Sequence, residues 1–411
     1  MSRAAPKQGE TVLIAGAGIA GLTAALCAHR AGLVPRLFDR APDLTEVGAG
    51  LQLGPNAMKI MRALGLSDAI MAAGYAPRRL DLRDGANGSI FFSVPAGTDG
   101  PARWGAPHIA IRRPALQAVL RKAVETRCPG ALHLAAEAVD FRPSPEGPVL
   151  TLADGTERQG SALIAADGIH SALRSRLLQG ERPNFTGNLA WRAVVPADET
   201  LRALLPDAAA AWAGPGRHAV TYFLDGGATV NFVGVVERDE PAPETWDTLG
   251  DPEQARQDFA GFCEPVRAVL ERARTVGLWG LYDRPTPDRL QEGRTALIGD
   301  AACPMPPFMA QGAALAMEAA WTAVWSLTST GDFRRYERAL KPRASRLLDA
   351  ARRNGDLFHG RGLPTLWKYA PVRLTSRVIP SVILARFDWV YGVDPTRDRP
   401  LMANRPGASA D

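Results

Sequence analysis

Near its start the chain runs from a short apolar stretch, Thr11–Ala15, straight into Gly16-Ala17-Gly18-Ile19-Ala20-Gly21 and then into a helical pattern. This GxGxxG is the most restrictive feature of the sequence. Placed after a strand and opening a helix, its glycines permit a tight turn, close approach of the backbone to a pyrophosphate, and close helix–strand packing. Ile19, Leu22 and Leu26 recur at helical spacing up to Ala31, and Gly32 follows as a stop. Val34–Asp39 reads as the next strand, although Pro35 cannot donate to a ladder and favours an edge or a strand end. Asp39 lies 18 residues after Gly21 (39 − 21), where a carboxylate can accept hydrogen bonds from a ribose. The free N–H groups and positive dipole end of the helix suit phosphates. The alternative is a purely structural turn with Asp39 a solvated strand end. Arg40 reads either as a ligand for a nucleotide 2′-phosphate or as a surface arginine.

Downstream, Ser161–Ala166 is almost wholly apolar, as in a buried parallel strand. Val149–Leu152 and Glu157–Ala165 flank Asp154-Gly155, a hairpin signal. Between about 180 and 290 the pattern becomes β-rich, with Ala190–Val195, Ala219–Leu224 and Thr229–Glu237 strand-like. Ala296–Ile298 returns to the buried-strand type, the chain reads as helical from Gly312, and the tail after Asp394 as irregular. The fold expected is α/β (α+β overall): a Rossmann-like nucleotide-binding lobe, an inserted antiparallel β-sheet substrate lobe and a helical C-terminus. The nucleotide lobe is assigned residues 1–75, 111–180 and 286–330, the substrate lobe 76–110 and 181–285, and the C-terminal helical segment and tail 331–411.

Composition removes several competitors. The net charge is +5 over 411 residues, but 43 of the 48 basic residues are arginine. The excess gathers in residues 332–411, where 16 basic and 8 acidic side chains give +8. No run of like charge marks a nucleic-acid-binding arm. Thr11 to Ala28 resembles the apolar part of a signal peptide, but the glycine motif explains it. Gly312 to Thr330 is long enough to span a membrane, yet contains Glu318 and many small residues, so a buried helix is expected. The four cysteines are far apart, with no CxxC, which points to neither a metal site nor disulfides, and to a cytoplasmic protein.

Two further segments extend the nucleotide reading: Ala166-Asp167-Gly168-Ile169-His170-Ser171-Ala172-Leu173-Arg174, and Gly299-Asp300-Ala301-Ala302-Cys303-Pro304 followed by Gln311-Gly312-Ala313. Each reads as a buried strand ending in a carboxylate at the ligand crevice. Asp300 can accept from a polyol such as ribitol, and the helix opened by Gln311-Gly312-Ala313 can stabilise negative charge on a reduced ring. With these three motifs in order, the sequence resembles the class A flavoprotein monooxygenases of the para-hydroxybenzoate hydroxylase type, over about residues 10 to 395. The most similar branch contains salicylate hydroxylase, 3-hydroxybenzoate 6-hydroxylase and 6-hydroxynicotinate 3-monooxygenase. Branch-level matches include Glu46-Val47-Gly48-Ala49-Gly50-Leu51, Arg113 to Gln117, Trp191-Arg192, Gly214 to His218, and Asp388-Trp389-Val390-Tyr391-Gly392.

The resemblance implies one FAD, NADH or NADPH as co-substrate without a separate nicotinamide domain, O₂, and a small aromatic or heteroaromatic substrate hydroxylated through a flavin hydroperoxide. It implies a monomer or homodimer, with no nucleic-acid partner and no membrane span. FAD contacts are carried over to Gly16, Gly18, Ile19, Ala20, Gly21, Asp39, Arg40, Gly50, Leu51, Arg113, Gln117, Asp167, Asp300, Gln311, Gly312 and Ala313. Pro307, Phe308, Met309 and Cys303 fall to the substrate. His218 and Tyr222, four apart on a strand, share a face. They read as base and hydrogen-bond partner, or else as a turn cap and a core residue. Cys303 stands where the family commonly has His, and Ala319 where an acidic residue often follows Glu318, which argues against salicylate and for a phenol-like or heteroaromatic ring. The alternative is a FAD-dependent hydroxylase of a lipid-like quinone precursor, or another flavin oxidoreductase.

Overall fold

The computed structural model describes residues 4–44, 49–178, 183–240, 248–360 and 384–401. The family-like residues Glu46, Val47 and Gly48 lie outside the described residues. β1 (Thr11–Ala15), α1 (Ile19–Arg30) and β2 (Val34–Phe38) follow in immediate succession. β1 sits inside a six-stranded sheet, paired in parallel with Ala162–Ala165 on one side and β2 on the other. Thr295–Leu297 then adds in parallel beyond Ala162–Ala165. All four residues of Ala162–Ala165 are buried, as an apolar strand covered on both faces requires. Pro35 is tolerated within β2 for a geometric reason. Val34 N–H donates to Glu10 O, so the next nitrogen points to the other side, where the short Leu132–His133 strand reaches only Leu37 and Phe38.

The sequence run Glu157–Ala165 divides. Glu157–Gln159 pairs with Val149–Leu152 in a separate three-stranded sheet, and Ala162–Ala165 joins the parallel one. Gly160 marks the crossing; a Cβ there would lie 2.7 Å from Leu13 Cγ.

An eight-stranded sheet contains Asn184–Pro196, Thr229–Glu237, Arg217–Leu224 and Ala208–Gly214 as neighbours, with Arg79–Asp84 and Ile90–Pro95 completing one side. Every pairing is antiparallel except Ala208–Gly214 with Arg79–Asp84. That single parallel pair brings the 79–95 segment, distant in sequence, into the later sheet. Between the two large sheets, Gly50–Leu53 pairs with Ile109–Arg112. The expected α/β arrangement, with a parallel sheet, a large second sheet and C-terminal helices, is borne out.

Gly312–Thr330 is a buried helix, and Arg334–Phe358 packs beside it. Among the described residues no helix is long and apolar enough to cross a membrane. Glu318, 2% exposed, is the reason the first helix is polar inside. It accepts from Asn56 Nδ2 at 2.6 Å and takes a forked pair from Arg343, at 2.5 Å from Nε and 2.8 Å from Nη2. The same guanidinium donates to the carbonyls of Trp389 and Val390 at 2.6 and 2.9 Å. Lys59 Nζ holds the next three carbonyls, Tyr391, Gly392 and Val393, at 3.1–3.2 Å. Asp388–Tyr391 is a single helical turn, too short to give the carbonyls of 389–393 intrahelical partners, and these two cations satisfy them instead. Arg343→Met strands the Glu318 charge, because removing one member of a buried pair leaves the other uncompensated. A loss of about 3–5 kcal/mol in urea unfolding is expected; a loss below about 1 kcal/mol contradicts this account.

Candidate active site

A cavity of about 650 Å³ opens between the two large sheets. Its size suits a small-molecule site. One wall is Gly18, Ile19, Ala20, Gly50, Leu51, Arg113, Asp300, Gly312 and Ala313. The opposite wall is the face of the eight-stranded sheet, with Leu80, Leu82, His218, Val220, Tyr222 and Val235. Met305, Pro307, Phe308 and Met309 close one side, and Trp389, Val390 and Tyr391 another.

At the first wall the three motif glycines do different work. A Cβ on Gly16, whose φ is +94°, would lie 2.3 Å from Ala166 O, and one on Gly21 would lie 1.9 Å from Gly16 O. Both positions therefore exclude side chains through backbone contact. A Cβ on Gly18 would meet nothing within 4 Å. That glycine keeps open the space in front of the α1 N-terminus, whose first turn carries no acid. Asp39 does not line the cavity. Its carboxylate accepts from Ala17 N–H at 2.6 Å and Ala41 N–H at 2.9 Å, so it braces the glycine turn. Each of its oxygens retains further acceptor capacity. Arg40 is exposed beside it.

Arg113 opens the Arg113–Arg127 helix and lines the cavity; Gln117, one turn on, is buried outside it. Asp167 is also off the wall. It accepts from Ser171 Oγ at 2.6 Å and Leu173 N–H at 3.4 Å, which leaves the backbone of Ala166 and Gly168 facing the cavity. Arg174, fully buried, donates to the carbonyls of Ala301 and Ala302 at 3.0 and 2.6 Å and so fixes the turn that carries Asp300. Asp300 is solvent-accessible through the cavity it lines, and its carboxylate makes no hydrogen bond to the described residues. Burial raises its pKa, opposed by the charge of Arg113. It is an acceptor without a donor, aimed into the space.

Cys303 is not brought to the wall. Its N–H closes the Gly299 turn, which sends the side chain into the core, where burial pushes the thiol up to about 12. Met305 takes the nearby place on the cavity. Gln311 is likewise buried off the wall, its Oε1 accepting from Asn56 Nδ2 at 3.0 Å, while Gly312 and Ala313 present the helix N-terminus. The first N–H groups of that helix lack intrahelical acceptors. Ala310, just before it, holds a left-handed φ of +50°.

His218 and Tyr222 both line the cavity from the Arg217–Leu224 strand. Four residues at about 3.3 Å each place them about 13 Å apart, at different ends. Tyr222 lies against Gly50, where a Cβ would come within 2.7 Å of Cε2. Burial raises its pKa, opposed by Arg192. Arg192 also lines the cavity and stacks on Trp279, 3.5 Å from the ring centroid. Burial lowers its pKa, but a guanidinium stays charged at neutral pH. His218 packs among Phe308, Phe358 and His359, with ring centroids 4.9–5.3 Å away. Gly355 makes room for Phe308; a Cβ there would approach its ring to 2.9 Å. His218 Nδ1 lies 2.7 Å from His359 Nε2, and His359 Nδ1 lies 3.1 Å from Glu237 Oε1. Burial holds both histidines below the ordinary range; His359 adds to the effect on His218, and Glu237 opposes it at His359. Sequence reasoning missed His359 and Glu237, and assigned Arg192 no role. His218 and His359 are 141 residues apart, and no local pattern joins them.

Residues 10–350 match the family model described as FAD binding domain. The chain is 35% identical over 353 residues to 3-amino-4-hydroxybenzoate 2-monooxygenase of Streptomyces cremeus, covering 85% of this chain and 87% of that protein. It is 33% identical over 344 residues to 6-hydroxynicotinate 3-monooxygenase of Bordetella bronchiseptica, covering 82% and 89%. The fold is similar to that of Klebsiella pneumoniae HpxO complexed with FAD and uric acid, at a TM-score of 0.79 and 25% identity, covering 93% of this chain and 98% of that one. The glycine turn, the acid-terminated strands and these likenesses agree, and the chain belongs to the FAD-dependent aromatic monooxygenase family.

Proposed function

We propose that this protein hydroxylates a small aromatic or heteroaromatic ring bearing an ionisable hydroxyl, using NADH or NADPH and O₂, with His218 as the base. The observation that carries the reading is His218 itself: a histidine held neutral by burial in the wall of a largely apolar cavity. The residues fit FAD. Gly18 leaves room for a pyrophosphate at a helix N-terminus, Asp300 offers a free acceptor for a ribityl hydroxyl, and Gly312 and Ala313 offer amide donors to the flavin ring. When bound, FAD supplies reduction by the nicotinamide and activation of oxygen.

The chain's own residues then bind and orient. Phe308, Met309 and the aliphatic face of the sheet exclude water around the ring. His218 removes the hydroxyl proton, which leaves the electron pair on oxygen and makes the ring a stronger nucleophile. Tyr222, at the other end, and Arg192, in register with Val220 between the two and close enough to act on Tyr222, supply a hydrogen bond and a positive charge to a second polar substituent. Two relatives act, by their names, on an aminohydroxybenzoate and a hydroxynicotinate; both rings carry a hydroxyl and a carboxylate, the pair of groups these two ends would recognise. Asp39, Gln117, Asp167 and Gln311 support the FAD site from behind rather than from the cavity wall.

Two measurements test this. Gly18→Ala is expected to leave urea unfolding nearly unchanged and to weaken FAD uptake about tenfold or more, about 1.4 kcal/mol, in a fluorescence titration. Gly21→Ala is expected to cost about 1–3 kcal/mol of stability, because its Cβ overlaps a carbonyl. Equal FAD affinity in Gly18→Ala contradicts the phosphate assignment. For the base, His218→Gln is expected to lower kcat about 10²-fold or more with KM little changed. Histidine acts as a base only when neutral, that is, above its pKa in the folded protein. Burial depresses that pKa, so the acid limb of the wild-type pH profile falls below about 6.5. An acid limb centred above 7, unmoved by His218→Gln, would sink the assignment.

A further inference from the structure

The hydrogen bonds beyond His218 form a chain that reaches a partly exposed carboxylate. His218 is 2% exposed and His359 7%, while the Glu237 side chain is 45% exposed. Three separate elements hold them. His218 lies on the Arg217–Leu224 strand, Glu237 ends the adjacent Thr229–Glu237 strand, and His359 caps the Arg334–Phe358 helix. The strand register sets His218 opposite Val235, two residues before Glu237, so the carboxylate continues the same sheet face outward.

The tautomers follow from the partners. Ionised Glu237 only accepts, so His359 Nδ1 carries a proton toward it at 3.1 Å. Neutral His359 then has a lone pair on Nε2, which accepts from His218 Nδ1–H at 2.7 Å. That leaves His218 Nε2 bare, and it makes no hydrogen bond to the described residues. Among the described residues, Arg217 and Asp356 also act on His359, and Arg238 lies next to Glu237; the other ring neighbours of His218 are Phe308 and Phe358.

We propose that His218, His359 and Glu237 form a proton relay that carries the proton of a ring hydroxyl from the cavity to solvent. The proposal rests on His218 being the base. The ring O–H bond breaks, its electron pair stays on oxygen, and an N–H bond forms at His218 Nε2. The Nδ1–H bond of His218 breaks as one forms at His359 Nε2. The Nδ1–H bond of His359 breaks as an O–H bond forms on Glu237, which passes that proton to water. The same steps reversed return a proton to the cavity and reset both tautomers. His359 and Glu237 are positioning residues acting through His218.

The test uses the full chain loaded with FAD and 4-nitrophenol as a probe whose ionised form is coloured. Stopped-flow mixing follows phenolate formation in H₂O–D₂O mixtures. The expected result is a curved dependence of rate on deuterium fraction, reporting more than one proton in flight. His359→Gln is expected to slow ionisation about tenfold or more and to straighten that dependence, with FAD uptake and probe affinity within about twofold. Glu237→Gln, at an exposed position that leaves folding intact, is expected to straighten it as well. A straight dependence in the wild type, or an unchanged rate in His359→Gln, overturns the relay. Long-range ¹⁵N–¹H imidazole spectra of the full chain decide independently of any probe: His218 protonated on Nδ1 is required, and His218 protonated on Nε2 overturns it. Probe ionisation without hydroxylation of any ring leaves the relay standing and defeats the hydroxylase reading. Hydroxylation at an unchanged rate in His359→Gln defeats the relay alone.

Discussion

The contact on which the molecule depends is backbone against backbone, where Gly16 meets Ala166 and Gly21 meets Gly16. The positions of their absent Cβ atoms lie 2.3 and 1.9 Å from carbonyl oxygens. No side chain fits at either place, so β1, α1 and the Ala162–Ala165 strand converge at a single point. The N-terminus of α1 and the end of that strand therefore open on the same space. Asp39 braces the turn from outside through the amides of Ala17 and Ala41. Arg174 performs the same service for the turn that carries Asp300. The cavity is thus set by rigid elements, the condition under which a bound group is held for chemistry.

A second constraint is that the opposite wall must come from somewhere else. The eight-stranded sheet supplies it, and the C-terminal segment closes it through the Glu318–Arg343 pair and Lys59. A buried ion pair of this kind is weak support for stability in itself. Here it fixes the carbonyls of Trp389 and Val390, and both of those residues line the cavity. The helix that presents Gly312 and Ala313 to the cavity is the one that carries Glu318. One helix therefore serves the site at its start and anchors the lining segment from its middle.

Much of this was legible in sequence. The β1–α1–β2 unit stands where periodicity and the glycines put it, because local spacing dictates it. The Thr229–Glu237 strand coincides with the stretch read as strand-like. Asp300 was legible as an acid ending a buried strand. The roles of single side chains were less so. Asp167 and Cys303 belong to motifs near the cavity, yet the turn geometry sends one to cap its own loop and the other into the core. The His218–His359–Glu237 chain, the stacking of Arg192 on Trp279 and the grip of Arg343 on 389–390 all join residues from remote elements. Hydrogen-bond partners across 46 to 141 residues leave no periodic trace.

The account's central claim is that a flavin and a hydroxylated ring occupy this one cavity, with His218 placed to ionise the ring. The most direct measurement records NADH and NADPH oxidation by the FAD-loaded chain alongside mass analysis of products, with 3-amino-4-hydroxybenzoate, 3-hydroxybenzoate and 6-hydroxynicotinate offered separately. The account predicts that at least one ring accelerates oxidation and gains a single oxygen atom, and that the same ring with its hydroxyl methylated gains none. Oxygen incorporation that is indifferent to methylation, or a chain that takes up no FAD, would contradict it.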